Sequence, residues 1–173
     1  MPFGRIAASC TASLAAIVCV VLTGKAVAAC YDEVGGVQRR FILDGGDARD
    51  TKTSLTWKRC SLGMTWDGKG CTGEQSFKTL AGAVAAAKIS GPGWRVPSGP
   101  ELQSIIDRSC GQPVVDKTVF PDIAANAEGA AEYWTTNPVG AANLVYFFDF
   151  MTGDADGHSP SFHLAVRLVK TGD

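Results

Sequence analysis

Three aspartates near the C-terminal end carry side chains that could hold a metal ion. Asp149, Asp154 and Asp156 lie close together, and Gly153 and Gly157 allow the chain to turn between them. Calcium prefers carboxylate oxygens, so the cluster is compatible with a calcium loop. However, the segment lacks the regular acidic positions and the final glutamate of an EF-hand, and D-A-D-G is also a common tight turn. Calcium and an ordinary turn therefore both stay open, and no other cofactor is expected.

Arg95 is the residue that could act in catalysis if it lay in a pocket. It belongs to the stretch W-R-V-P-S-G-P-E-L, residues 94–102. Ser98 and Glu101 stand in the S-x-x-E relation of a capping box, in which each side chain accepts a hydrogen bond from an N–H at the helix start. Arg95 is then expected to lay its stem on apolar surface and to donate to a carboxylate or to carbonyls. The stretch predicts a structural joint.

Other signatures of catalysis are missing from the sequence. The chain contains neither G-x-S-x-G nor H-E-x-x-H. His163 stands between Phe162 and Leu164 in an alternating run, which is typical of a sheet residue. Neither His158 nor His163 has a second ligand at zinc spacing. We therefore expect a protein that is not an enzyme.

The N-terminal residues 1–28 have the pattern of an export signal. Arg5 gives a positive start, residues 14–22 form an unbroken apolar run, and A-V-A precedes Ala29 as a cleavage site. The apolar run is shorter than the roughly 20 residues that cross a bilayer. We expect a mature chain, residues 29–173, that forms one domain and has no transmembrane segment. Its expected location is the periplasm or the outside of a bacterial cell.

Four cysteines remain after this cleavage, and an even number in an exported chain is typical of disulfides. Three pairings are open for Cys30, Cys60, Cys71 and Cys110. We favour Cys60 with Cys71, because the glycines between them let a short loop turn back, and Cys30 with Cys110. The rival is lipidation of Cys30, since V-A-A-C fits a loose lipobox. Lipidation would leave one thiol without a partner.

The charge balance argues against one class of partner. The chain has 16 Lys and Arg against 17 Asp and Glu, and cleavage removes two of the basic residues, so the mature net charge is about -3. Nucleic acids and other polyanions held mainly by charge are therefore not expected as ligands.

The hydrophobic pattern predicts an α+β domain. Alternation predicts four strands and a 3.6-residue period predicts two helices. The strands are expected at residues 37–43, 54–59, 144–150 and 161–169, with the last two forming a hairpin across a loop at 151–160. Strands followed by helices and then by strands again are typical of α+β folds.

The first helix is expected at residues 75–89, with a buried stripe of Phe77, Leu80, Val84 and Ala87. The second helix is expected to run from the capping box to about Ser109. Residues 60–73 and 111–143 are rich in Gly, Asn, Ala or Pro and lack periodicity, so both segments are predicted as loops.

Several short motifs resemble those of one family. Trp94-Arg95-Val96-Pro97 followed by Glu101-Leu102 resembles W-R-L-P-x-x-x-E-L. The other matching motifs occur in the same order as in the family: Asp50 to Trp57, Phe120-Pro121, Tyr133-Trp134-Thr135-Thr136 and Val166-Arg167-Leu168-Val169. Together they resemble the Lcl C-terminal domain family, named for a Legionella collagen-like adhesin, over about residues 40–170. Ser54, Thr56 and Val96 depart from the family pattern without removing a charged group.

This resemblance implies a fold related to C-type lectins. In such a fold the terminal strands pair, two helices flank the sheet and a long irregular segment displays a surface. The motif residues are then expected to act as structural supports: Trp57, Trp94, Arg95, Pro97, Ser98, Glu101, Phe120, Pro121, Trp134 and Arg167.

The expected function is a non-catalytic, adhesin-like binding module that recognises a glycan or a protein at the cell surface. Its ligand surface is predicted in the irregular segment 111–143 and the loop 151–160. The candidate ligand residues are Asn126, Tyr133, Asn137 and Asn143. The main alternative is a structural or accessory subunit of a pilus or envelope assembly. An enzyme of the sulfatase-modifying type is less favoured, because that chemistry needs a reactive thiol.

Overall fold

The computed structural model describes residues 40–141 and 143–172. The predicted export signal, Cys30 and the beginning of the predicted first strand lie outside these residues. Within them the chain forms an α+β fold with three antiparallel sheets and two short α-helices. No helix in the described part of the chain is long and apolar enough to cross a membrane.

The first sheet contains four strands in the order β1-β2-β3-β9. Their bounds are β1 Phe41–Asp44, β2 Asp47–Asp50, β3 Leu55–Lys58 and β9 Val169–Thr171. The strand predicted at 54–59 is therefore confirmed as β3. β2 was not predicted, because Asp47, Arg49 and Asp50 give it a polar appearance. It forms because Gly45, at a φ of 52°, reverses the chain between β1 and β2.

The two-stranded sheet lies in a segment that was predicted as loop. β4 (Met64–Trp66) pairs with β5 (Cys71–Gly73). The predicted disulfide between Cys60 and Cys71 is present and joins the first residue of β5, beside the hairpin turn, to the segment that precedes β4. Cys110 is also disulfide-bonded, and its predicted partner Cys30 lies outside the described residues.

The three-stranded sheet corrects two predictions about the C-terminal half. It consists of β6 Glu132–Pro138, β7 Val145–Asp149 and β8 Asp154–His158, in that order. β6 lies in the segment predicted as irregular, and β8 occupies the predicted loop 151–160. β8 was not predicted because it is an edge strand whose first three residues are exposed. Its sequence therefore shows no alternation of apolar and polar residues. The terminal hairpin is therefore β7 with β8.

The segment 161–169 is not the regular strand that was predicted. It forms isolated bridges to Lys78 and Tyr133 and enters β9 only at Val169. Its apolar alternation has another cause, because its side chains contribute to two hydrophobic clusters. Ala165 and Val169 pack in one cluster. The second cluster contains Leu164, Val166 and Leu168. The segment thus runs between two cores. The last strand lies in the same sheet as the first but pairs with β3.

Helix α1 (Leu80–Ile89) is shorter than predicted. Its N-cap is Thr79, whose hydroxyl accepts a hydrogen bond from the backbone of Gly82. The buried face consists of Ala83 and Ala87, whereas Phe77 precedes the helix and is 49% exposed. The predicted stripe was wrong at Phe77 and Val84, because the helix begins after Phe77 and buries the face that carries Ala83 and Ala87.

Helix α2 (Gly99–Ser104) has the predicted capping box, with both reciprocal hydrogen bonds between Ser98 and Glu101. The helix ends five residues before the predicted end at Ser109. It stops there because the backbone N–H of Asp107 donates to Val114, and a 3-10 turn at Arg108–Cys110 follows.

Arg95 donates two hydrogen bonds to the carboxylate of Glu101, at 2.7 and 2.6 Å. Glu101 also accepts from the backbone N–H of Ser98 at 2.8 Å. These bonds join the helix start to the preceding segment, where the backbone of Arg95 bridges to Val169 of the first sheet. Arg95 is thus placed as the sequence predicts for a structural joint.

Glu101→Gln is expected to remove a pH-dependent contribution to stability. The hydrogen bond from Arg95 is the largest cause that lowers the pKa of Glu101 from 4.5 to about 2. A depressed carboxyl pKa stabilises the fold above pH 4.5, and this stabilisation is lost as the pH falls toward 2. Because the pair is partly open to solvent, we expect a loss of about 1 kcal/mol at pH 7.

Urea unfolding of the wild type and of E101Q at pH 7, 4 and 2.5 measures this effect. The difference between the two proteins should shrink as the pH falls. A difference that stays constant across this range would contradict the assignment.

Candidate functional site

The residues predicted to bind a ligand do not form one display surface. Tyr133 is only 1% exposed, and its hydroxyl is hydrogen-bonded to Ser61 at 2.7 Å, so its assignment to the surface was wrong. Asn126 is exposed, but its carbonyl oxygen closes a turn by accepting from Glu128 and Ala130. Asn137 accepts from the backbone of Gly99 at 2.7 Å. Asn143 is exposed.

The calcium prediction also meets a different arrangement. Within residues 40–141 and 143–172, no three acidic, histidine or cysteine side chains form a metal-binding group. Asp149 accepts from the backbone N–H of Ala131 and of Met151. Asp154 is paired with Arg108, and Asp156 accepts from its neighbour Gly157. The aspartates therefore serve the turn and the sheet edge.

A buried polar network lies at the centre of the domain. The side chains of Arg167 and Asp122 are 0% and 1% exposed and lie 2.8 Å apart. Arg167 also donates to the hydroxyl of Ser61 and to the carbonyls of Lys58 and Arg59. Burial alone would raise the pKa of Asp122, but the charge of Arg167 and the hydrogen bonds from Ser61 and Arg167 hold that pKa below its ordinary value.

A groove of about 600 Å³ opens beside this network, between the β1–β2 turn and the disulfide hairpin. Its lining combines three charged side chains with an aromatic ring and aliphatic side chains. The residues that line it include Asp44, Asp47, Lys58, Leu62, Met64, Trp66 and Leu168. Both Cys60 and Ser61 also line it, so the groove lies directly above the disulfide and the buried network.

Trp66 is held in a fixed position at the groove. The guanidinium of Arg59 lies 3.6 Å from the centre of its ring. Arg59 in turn donates to the carbonyls of Gly45, Thr118 and Val119 at 2.9, 3.0 and 3.2 Å, and burial lowers its pKa. Because Arg59 is anchored in three places, the Trp66 ring has a rigid support on one side.

Two further features fix the position of this tryptophan. Trp66 is the register partner of Cys71, so the disulfide holds its strand pair in place. A Cβ atom added to Gly46 would lie 3.0 Å from the Cβ of Trp66, so a larger residue there would push against the ring. Any larger residue at position 46 would therefore require the Trp66 side chain to shift by a few tenths of an ångström.

The polar wall of the groove contains one ion pair and one exposed carboxylate. Lys58 donates to Asp47 at 2.7 Å, and its ammonium lies 4.2 Å from the centre of the Trp94 ring. Asp44 is exposed. The lining of the groove therefore contains two carboxylates and one ammonium group. This site was not predicted from the sequence, although a tryptophan in a polar, glycine-rich segment between two cysteines, Trp66, could have indicated it.

A family model described as the Lcl C-terminal domain matches residues 46–170. The chain belongs to this family. The predicted family resemblance is therefore confirmed over nearly the whole described region. A search of curated proteins finds no match to this chain.

The family motifs of this Lcl C-terminal domain lie mainly in its cores. Among the motif side chains, Trp57, Phe120, Trp134 and Arg167 are each 0% exposed. Trp134 donates its indole N–H to the carbonyl of Lys78 at 2.7 Å. Trp94 and Pro97 are also buried, and Pro121 is half-buried. Ser54, which departs from the family pattern, has a φ of 58°, a conformation that favours glycine.

Proposed function

We propose that this Lcl C-terminal domain is an exported, non-catalytic binding module of the adhesin type that holds its ligand in the groove at Trp66. The observation that carries the proposal is the fixed aromatic ring at the edge of a cavity of about 600 Å³. Cavities of this size with a few oriented polar groups are typical of ligand sites. A rigid aromatic side chain provides contact area at a low cost in conformational entropy.

Binding is favoured over catalysis by the state of the polar groups at the groove. The carboxylate of Asp47 is paired with Lys58. Ser61 is 1% exposed, and its hydroxyl is hydrogen-bonded within the buried network. Cys60 is oxidised to a disulfide. A nucleophile needs both a base beside it and access to substrate, and none of these three groups combines the two.

The location and the finer fold class belong to the same proposal. The Cys60–Cys71 disulfide and the disulfide-bonded Cys110 support a protein that works in an oxidising compartment outside the cytoplasm. A C-type-lectin-like fold is supported by the α+β composition, the first and last strands in one sheet and the long irregular segment after α2.

Trp66→Ala is expected to abolish most retention of the purified protein on its target surface. Truncating an aromatic residue on which the ligand packs costs about 2 kcal/mol or more, which is a loss of about thirtyfold in affinity. Attachment to intact cells and to mixed glycan and peptide arrays measures this loss. Phe77→Ala is the matched control, because Phe77 is 49% exposed and does not line the groove.

Equal retention of W66A and the wild type would remove the groove as the binding site. Absence of wild-type retention on every surface would remove the proposed function itself. Trp66→Phe keeps an aromatic face and should retain part of the binding, and near-UV circular dichroism checks that each variant is folded.

A further inference from the structure

We propose that the groove takes a short uncharged saccharide with adjacent hydroxyl groups, an inference that rests on the proposed binding function. Three features of the groove favour this ligand class over polyanions and over basic peptides. They are the supported face of Trp66, the paired state of Asp47 and Lys58, and the exposed carboxylate of Asp44.

The Trp66 ring suits a sugar because it offers an amphipathic surface that is already fixed. The ring packs on Arg59, which is only 7% exposed and donates hydrogen bonds to three carbonyls. The aliphatic C–H face of a pyranose can pack on an aromatic ring while the hydroxyls at its edge stay hydrogen-bonded. No ordering of Trp66 is then needed when the ligand binds.

The ion pair of Asp47 and Lys58 suits adjacent hydroxyls. It presents a carboxylate acceptor and an ammonium donor whose polar atoms are 2.7 Å apart. A hydroxyl both donates and accepts, so two neighbouring hydroxyls can bond to the two ends of this pair without leaving a polar group unsatisfied. Both side chains remain about one third exposed, at 34% for Lys58 and 30% for Asp47, and are open to such contacts.

The charges of the groove disfavour the two charged alternatives. A sulfated or carboxylated saccharide would meet the carboxylates of Asp44 and Asp47, and the one lining ammonium is already neutralised. The guanidinium of Arg59 lies against the Trp66 ring and donates hydrogen bonds to three carbonyls, so turning it toward a sulfate would break those bonds. A basic peptide would find Asp47 occupied by Lys58, which leaves Asp44 alone to hold it.

The test compares three sets of immobilised ligands with the same purified native protein: neutral oligosaccharides, sialylated or sulfated oligosaccharides, and lysine-rich peptides. We expect retention on neutral oligosaccharides that changes less than about twofold between 50 and 500 mM salt, since no net charge is neutralised on binding. W66A should lower the apparent affinity by at least about tenfold, whereas F77A should not change it. Addition of EDTA should leave binding unchanged.

Asp44→Asn is a second variant that tests the charge argument without touching the ring. It removes one of the two carboxylates that would repel an acidic saccharide from the groove. The same change should raise any residual binding of acidic saccharides. Because W66A alone could disturb the hairpin, W66F and D44N keep the inference testable in folded protein.

Retention only on acidic saccharides, or only on peptides, would overturn the saccharide assignment while leaving a binding function in place. Salt-sensitive binding to neutral sugars, or equal binding by W66A, would overturn it as well. Absence of retention on all three ligand sets and on cells would overturn the proposed function together with this inference.

Discussion

Replacing Arg167 with methionine is expected to lower the free energy of unfolding by about 3–5 kcal/mol, because it leaves a buried carboxylate without its counter-charge. The side chain of Asp122 is 1% exposed and lies 2.8 Å from Arg167. Arg167 also packs between the rings of Phe120 and Tyr133, at 5.3 and 5.6 Å from their centres. Methionine can fill part of this volume but supplies no donor.

Equilibrium unfolding in urea, followed by tryptophan fluorescence, measures this loss. Arg108→Met is the matched control, since the Arg108–Asp154 pair is 64% and 73% exposed and its removal should hardly move the transition. The double variant R167M/D122N should regain more than about 1 kcal/mol, because it also removes the stranded charge. A loss below about 1 kcal/mol in R167M would contradict the role of the network.

Replacing Cys60 and Cys71 together with serine is the second large change. The two cysteines are 11 residues apart, and closing a loop of this length contributes about 3 kcal/mol in the chain-entropy description. Beyond this loss, the hairpin that carries Trp66 would be released from β3. We therefore expect a lower unfolding midpoint and a weaker ligand affinity in the variant.

The double variant is preferable to chemical reduction because Cys110 is also disulfide-bonded. Unfolding curves and binding to the retained ligand are measured on the same preparations. Binding measured well below the midpoint of the variant separates the loss of the site from global unfolding. Unchanged stability together with unchanged affinity would show that the bond does not hold the groove.

Local signals in the sequence predicted the local structure well. The capping box needs only Ser98 and Glu101 at the right spacing, and it is present. The Cys60–Cys71 disulfide needs only a short flexible loop, and it is present too. The strand at β3 follows from the alternation of Leu55 and Trp57, both of which are buried. In these cases neighbours in sequence determine the structure.

Features that depend on distant partners could not be predicted in this way. β8 is held by pairing with β7, and its own residues carry a turn-like, acidic pattern. Tyr133 resembles a surface residue in sequence, but Ser61 and Gln75 satisfy its hydroxyl inside the protein. The groove itself depends on the β1–β2 turn meeting the disulfide hairpin, which no local spacing encodes.

The position of the groove separates two roles within the domain. The buried arginine, tryptophan and phenylalanine residues of the family motifs stabilise the two cores, whereas Trp66 lies in a disulfide-closed hairpin outside those clusters. Loops and hairpins on a rigid scaffold commonly carry the binding residues. Ligand specificity is therefore expected to change with the hairpin and the β1–β2 turn, while the core motifs keep the fold.

Nuclear magnetic resonance mapping of the bound ligand tests the location of the site most directly. The native protein is labelled with ¹⁵N and titrated with the saccharide that it retains. We expect the largest shifts at the indole N–H of Trp66 and at the backbone amides of Gly46 and residues 62–65, which line the groove. Shifts that cluster instead around Asn126, Asn143 or the β7–β8 turn, with Trp66 unchanged, would contradict a binding site at this groove.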